Sequence, residues 1–215
     1  MDNACGFPAA HERRREDHDW RTVISDPTAG PRIFFWVAMA VWGVLEVRTA
    51  IRRPGSDTKE DAGSVRWSLG GTVGGLIAAA LIDLAMPEVI AESRHGPYLT
   101  AGGVLVLAGV ALRVWSIRTL GRFFTYQVMT TEDQHVVTSG PYRWLRHPSY
   151  SALLVGCVGV GIATANPLSL AAAIVLPLIG LTHRINVEEA ALAQRLGDDY
   201  REFAASRKRL IPGLW

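Results

Sequence analysis

Residues 139–154 read SGPYRWLRHPSYSALL and set two arginines, a histidine and a proline directly against the start of an apolar run. Proline fixes its own φ and lacks an N–H, so the first position of a helix suits it. It also biases the residue before it away from helical geometry. His147-Pro148 therefore predicts a kink from which a helix starts, its N–H groups and positive dipole end facing the preceding loop. Such an end attracts anions, and Arg143 and Arg146 add charge to it. The same residues also serve as ordinary basic flanks of a membrane span, with His147 as a cap. The stretch by itself leaves both readings open.

The surroundings decide the fold class. Of 215 residues 49% are hydrophobic, with a net charge of only +2, and the apolar residues gather in five stretches, 33–51, 67–86, 98–117, 149–165 and 167–182. A bilayer-spanning helix needs roughly 17–25 mostly apolar residues, which the first three stretches supply. The last two are shorter and meet at Ala165-Asn166-Pro167, which reads as a tight turn. A soluble bundle would have to surround three such segments with protein, and so short a chain cannot easily do this. The expectation is an all-α polytopic membrane protein of about five transmembrane helices, the last two a helical hairpin, with further helices in the C-terminal tail. Its organisation is a polar N-terminal tail (1–32), three spans (33–117) and a part that carries the chemistry (118–215).

The tail holds Arg13-Arg14-Arg15 but no apolar core, so it does not read as a cleaved signal. Cys5 and Cys157 make no disulfide framework. No spacing suggests a metal site, and no lysine-rich patch suggests a nucleic-acid partner. With five spans, the 52–66 loop, the 118–148 loop and the C-terminal tail share one side. That side carries most of the arginines, which places it in the cytoplasm. The arginines of the N-terminal tail run against this assignment.

Charges inside spans are costly and are usually paired or functional. Glu46 and Arg113 fall near the same ends of their helices and could pair, whereas Asp83 reads as an interfacial carboxylate. Gly70, Gly71, Gly74 and Gly75 form two overlapping small-xxx-small spacings, which favour close helix contact. Gly156, Gly159 and Gly161 lie within a span with no strand before them, so a dinucleotide-binding reading fails.

After the fifth stretch comes HRINVEEAALAQRLGDDYREF, residues 183–203. Arg184 and Glu188 lie four apart on one helical face, and Glu189 adds a second carboxylate. At a surface such a pair contributes only about 0.3–0.5 kcal/mol. Leu192, Leu196, Tyr200 and Phe203 make an apolar stripe that would dock this helix and hold Arg184 and Glu188 near the elbow. Gly197-Asp198 is read as ending one helix and capping the next.

Together, VVTSGPYRWLRHPSY, the Asn166-Pro167 hairpin, RINVEE, LGDDYREF and the closing RLIPGLW resemble the isoprenylcysteine carboxyl methyltransferase family, integral-membrane enzymes that use S-adenosylmethionine. The resemblance runs from Arg118 to Trp215; the first three spans agree only in being apolar. It implies a cofactor pocket roofed by the 118–148 loop and the C-terminal helices. Cofactor contacts would fall on Gln127, on Gln134, His135, Val136 and Val137, on Tyr142, on His147, Pro148, Ser149 and Tyr150, and on Glu188. His135 and Val136 depart from the commoner family residues. Arg184 falls where the family binds its substrate, and Arg184 and Glu188 are the expected catalytic pair.

The reaction so implied moves a methyl group from a sulfonium to a carboxylate, forming a methyl ester. The carboxylate is ionised at neutral pH, so alignment and exclusion of water do most of the catalysis. The cofactor would come from the cytosol, and a hydrophobic or lipid-anchored acceptor through the membrane lipids. An amine acceptor, as in the related phospholipid N-methyltransferases, would need a base, which Glu188 or Glu189 could provide. The pattern also admits a small-thiol S-methyltransferase or a non-catalytic membrane scaffold of the same fold. A composition rich in Ala, Arg and Gly and poor in Lys points to a bacterial cytoplasmic membrane, with the active site on its cytoplasmic side.

Overall fold

The computed structural model describes residues 26–52, 63–86, 95–124 and 135–215. The N-terminal arginines, Cys5, most of the 52–66 loop, Gln127 and Gln134 lie outside them. Among the described residues six α-helices form: α1 (Ala29–Arg52), α2 (Ser64–Ala85), α3 (His95–Leu120), α4 (Pro148–Ala163), α5 (Pro167–Leu196) and α6 (Asp198–Ser206). Short 3-10 turns cover Gly121–Phe123 and Gly140–Arg143. Among the described residues no strand forms, and one isolated parallel bridge joins Leu145 to Lys208.

Among the described residues four helices, α1, α2, α3 and α5, are long and apolar enough to cross a membrane. Helix α4, with 16 residues, spans only about 24 Å at 1.5 Å per residue and completes the hairpin as a short apolar partner. The lipid-facing character is visible in the side chains: Trp36, Val44 and Ile51 on α1 and Ile77, Leu81 and Leu84 on α2 are exposed. This is an integral membrane protein, its apolar residues turned outward as well as inward.

The hairpin turns where the composition put it. Ala165 takes φ 54, and the Asn166 side chain accepts from the N–H groups of Leu168 (2.9 Å) and Ser169 (3.3 Å). Two of the N–H groups that a helix start leaves open are thereby satisfied. Helix α5 then runs for 30 residues without a break, Pro177 included, so RINVEE continues the same helix beyond its apolar stretch. Gly197, at φ 59, ends it, a left-handed conformation that glycine adopts without steric cost. The expectation that Asp198 caps the next helix is corrected here: Gly197 occupies the cap and Asp198 is already helical, with no side-chain cap bond at this end.

Helix α1 packs chiefly against α3, α2 against α5, and α3 against α4. Of the two glycine spacings on α2, only one meets a neighbour. A Cβ on Gly71 would lie 2.6 Å from the Leu176 carbonyl oxygen, and one on Gly75 2.6 Å from Pro177 Cδ, whereas Gly70 and Gly74 face open space. The Ser169 hydroxyl ties α5 to α2 by donating to the Ala79 carbonyl at 2.9 Å. We expect Gly75→Val to destabilise the protein by about 1–3 kcal/mol, the usual cost of overpacking, and Gly74→Val to have little effect. Thermal melts in detergent compare the two.

Candidate active site

The kink at His147-Pro148 forms as the proline dictates. His147 takes φ −125, ψ 57 and α4 begins at Pro148. Of the first-turn donors at this helix start, Tyr150 N bonds to the His147 carbonyl (3.0 Å), and Ser151 N makes the first regular helical bond to the same oxygen (3.1 Å). One first-turn donor is thus spent locally. Arg143 also turns away from the elbow, stacking on exposed Trp144 with its guanidinium carbon 3.7 Å from the ring centroid.

What holds the elbow is the C-terminal segment. Arg146 N donates to Lys208 O (2.8 Å), His147 N to Arg209 O (3.1 Å) and Ser151 Oγ to Leu210 O (2.6 Å). Glu189, on α5 beyond its apolar stretch, completes the grip. Its Oε1 lies 2.9 Å from Arg146 Nη1 and 3.0 Å from His147 Nε2, and its Oε2 accepts from Arg209 Nη2 at 2.7 Å. Burial raises the carboxyl's pKa. The hydrogen bond and charge of His147, with Arg209 and Arg146, outweigh that and hold it below the usual carboxylate value.

Beside this grip lies a second cluster, facing a cavity. Tyr150 Oη stands between the two residues singled out by spacing: it accepts from Arg184 Nε at 2.6 Å and donates to Glu188 Oε2 at 2.6 Å. Arg184 is buried, and its Nη1 also donates to Ser64 Oγ at 3.1 Å, at the start of α2. The His147 ring stacks on Tyr150 with centroids 5.5 Å apart. Burial, and next the Glu188 carboxylate, push the Tyr142 hydroxyl well above its ordinary pKa, so it stays protonated.

The cavity holds about 370 Å³, within the usual range for ligand sites. His135, Val136, Val137, Tyr142, His147, Ser149, Tyr150, Arg184 and Glu188 line it, while Pro148 stands behind the wall. Leu192, Leu196, Tyr200 and Phe203, the stripe expected to dock the tail, form one largely apolar end. The other end reaches between α1 and α2, where Met39, Trp42, Val73 and Leu76 contribute. No sequence pattern marked those four, because they look like any other lipid-facing residues. Glu46 and Arg113, noted only as able to pair, do pair, and both line this cavity.

The fold and site together are an all-helical membrane bundle with ionic and phenolic groups facing a partly apolar cavity. Residues 102–194 match the Isoprenylcysteine carboxyl methyltransferase (ICMT) family. A probable protein-S-isoprenylcysteine O-methyltransferase of Oryza sativa subsp. indica is 39% identical over 132 residues, covering 57% of this chain and 69% of the rice protein. Protein-S-isoprenylcysteine O-methyltransferase A of Arabidopsis thaliana is 35% identical over 113 residues, covering 52% and 57%. The solved structure of a eukaryotic intramembrane Ras methyltransferase superposes with a TM-score of 0.63 at 25% identity, covering 86% of this chain and 68% of that one. The chain belongs to the isoprenylcysteine carboxyl methyltransferase family, and it is a methyltransferase.

The Glu189 grip has a pH signature. A carboxyl whose folded pKa is lowered contributes stability that is present above its unfolded value of 4.5 and is lost as pH falls through the lower folded value. Limited proteolysis should therefore begin to cut the C-terminal segment as the medium is acidified below 4.5. Glu189→Gln should leave the segment open already at neutral pH and remove the acid step.

Proposed function

We propose that the protein transfers the methyl group of S-adenosylmethionine to the carboxylate of a hydrophobic or lipid-anchored acceptor, an isoprenylcysteine or a similar apolar acid. The observation that carries this reading is the Arg184–Tyr150–Glu188 chain, one cation and one anion joined through a phenol and facing a cavity with two apolar ends. The names of the rice and Arabidopsis relatives support the acceptor class.

The residues suit the cofactor. Glu188 offers a carboxylate to a cationic donor, and the wall of Leu192, Leu196, Val136 and Phe203 offers an apolar bed for a nucleoside. S-adenosylmethionine would supply a methyl group on a positively charged sulfur; a carboxylate oxygen forms the new C–O bond as the C–S bond breaks, its electron pair remaining on sulfur. Arg184, fixed by Tyr150 and Ser64, would orient the acceptor carboxylate. Tyr150 would keep Arg184 and Glu188 from collapsing onto each other by hydrogen-bonding both. Cofactor contacts are assigned to His135, Val136, Val137, Tyr142, His147, Ser149 and Tyr150, which line the cavity, and, as the family resemblance implies, to Gln127 and Gln134; Pro148, behind the wall, is left out. Met39, Trp42, Val73 and Leu76 would receive the apolar chain of the acceptor from the bilayer. Closing water out of such a site sharpens the nucleophile and strengthens every charge interaction in it.

Three variants test the division of labour. Arg184→Ala should leave cofactor affinity nearly intact and reduce methylation by a factor of about 100 or more, and Arg184→Lys should rescue poorly because an ammonium lacks the planar fork. Glu188→Ala should weaken cofactor binding itself. Calorimetry with S-adenosylmethionine and turnover on prenylcysteine, phospholipid-amine and thiol acceptors read both effects. Matching mild losses of stability with near-normal turnover would reduce the cluster to a structural pin.

The arginine asymmetry supports a site on the cytoplasmic face of the membrane, and the composition rich in Ala, Arg and Gly supports a bacterial one. A cysteine introduced at Ser206, on α6, should resist an impermeant thiol reagent added outside intact cells and react after lysis.

A further inference from the structure

Glu46 and Arg113 form an ion pair between two spanning helices, where ionic groups are expensive. Arg113 Nε and Nη2 each donate at 2.8 Å to the two carboxylate oxygens of Glu46. Its remaining arm, Nη1, reaches α4 and donates to Ser149 Oγ at 2.6 Å and to the Ser149 carbonyl at 3.2 Å. The Arg113 side chain is 6% exposed and that of Glu46 25%, the latter's open part turned to the cavity. An apolar pair of similar volume would cost less to bury. What it would not supply is a directed contact to the first turn of α4.

That turn is where direction matters. Ser149 precedes Tyr150, whose hydroxyl joins Arg184 to Glu188. On the tail side the elbow is held by the Lys208 and Arg209 carbonyls. On the bundle side Arg113 grips Ser149. We propose that Glu46 and Arg113 are positioning residues for methyl transfer: Glu46 sets the guanidinium, the guanidinium fixes Ser149, and Ser149 sets the place of Tyr150 in the cavity. This rests on the function proposed above. It adds to that reading a device contributed by α1 and α3, outside the segment in which the site residues cluster.

Glu46→Ala or Arg113→Ala alone leaves one charge unpaired and could prevent folding, so the informative variant is the double replacement Glu46→Met/Arg113→Met. We expect it to melt near the wild-type temperature and to bind S-adenosylmethionine and acceptor within a few-fold of wild type. Its kcat should fall at least about tenfold, since small misplacements in an aligned site are costly. Arg113→Lys should not restore kcat, because one ammonium cannot fork onto Glu46 and still reach Ser149. Hydrogen exchange of the double variant should quicken at residues 149–153 and stay unchanged in α2. A stable double variant with normal kcat and normal exchange at α4 would overturn the proposal. So would equal losses of melting temperature, affinity and kcat, which mark a purely structural pair. If the wild type transferred no methyl group to any acceptor class, the proposed function would fall, and the exchange measurement would still decide whether the pair fixes the α4 turn.

Discussion

The carboxylate of Glu189 governs the geometry of the site. It gathers His147, Arg146 and Arg209 around one anion, and these come from the elbow and from the end of the chain. Like-charged arginines would otherwise repel one another here, and a buried imidazole would lose the shorter of its two carboxylate contacts. Shared between them, Glu189 neutralises the crowd and turns three segments into one support. Removing one member of such a buried group costs far more than an exposed ion pair contributes, because the others are left uncompensated.

From this support the rest follows in order. Glu188, the residue before it on α5, is turned by about 100° on the helix and so faces the cavity while Glu189 faces the elbow. Adjacent carboxylates thus serve different ends, one structural and one open to a ligand. Their setting depends on α5 being a single helix of 30 residues, which carries the polar residues rigidly beyond the apolar stretch. Tyr150 is brought opposite by the α4 start, whose bonds to the tail and to Arg113 come from two sides. Glu46 and Arg113 find each other, and Arg184 and Glu188 meet on Tyr150, as charged groups in and near a bilayer require.

The cavity's apolar reach toward α1 and α2 has a simple origin. These helices are neighbours in sequence, yet each packs on a different partner, α3 and α5. The space between them is bordered by side chains such as Trp42 and Leu76 that stop short of closing it. In a membrane an apolar cleft of this kind needs no polar lining to be stable, since lipid chains and protein side chains are equally apolar solvents for it.

The amino-acid sequence determined the helices and their turns by local rules. Hydrophobic length gave the spans, Asn166-Pro167 the hairpin turn, Pro148 the kink, and the spacing of Arg184 and Glu188 a shared helical face. These signals depend on contacts within a few residues, so they survive reading in one dimension. Which glycines pack, Gly71 and Gly75 and not Gly70 and Gly74, depends on where α5 lies. Arg143 looked equivalent to Arg146, yet only Arg146 reaches Glu189. At the helix end read as an anion site, the Tyr150 N–H is spent on the His147 carbonyl. That Tyr150 joins Arg184 to Glu188, and that Glu46 acts on α4 through Arg113, came only from the tertiary structure. Those partners lie 34 to 67 residues apart, and side-chain direction across such distances is fixed by helix packing, which no local pattern encodes.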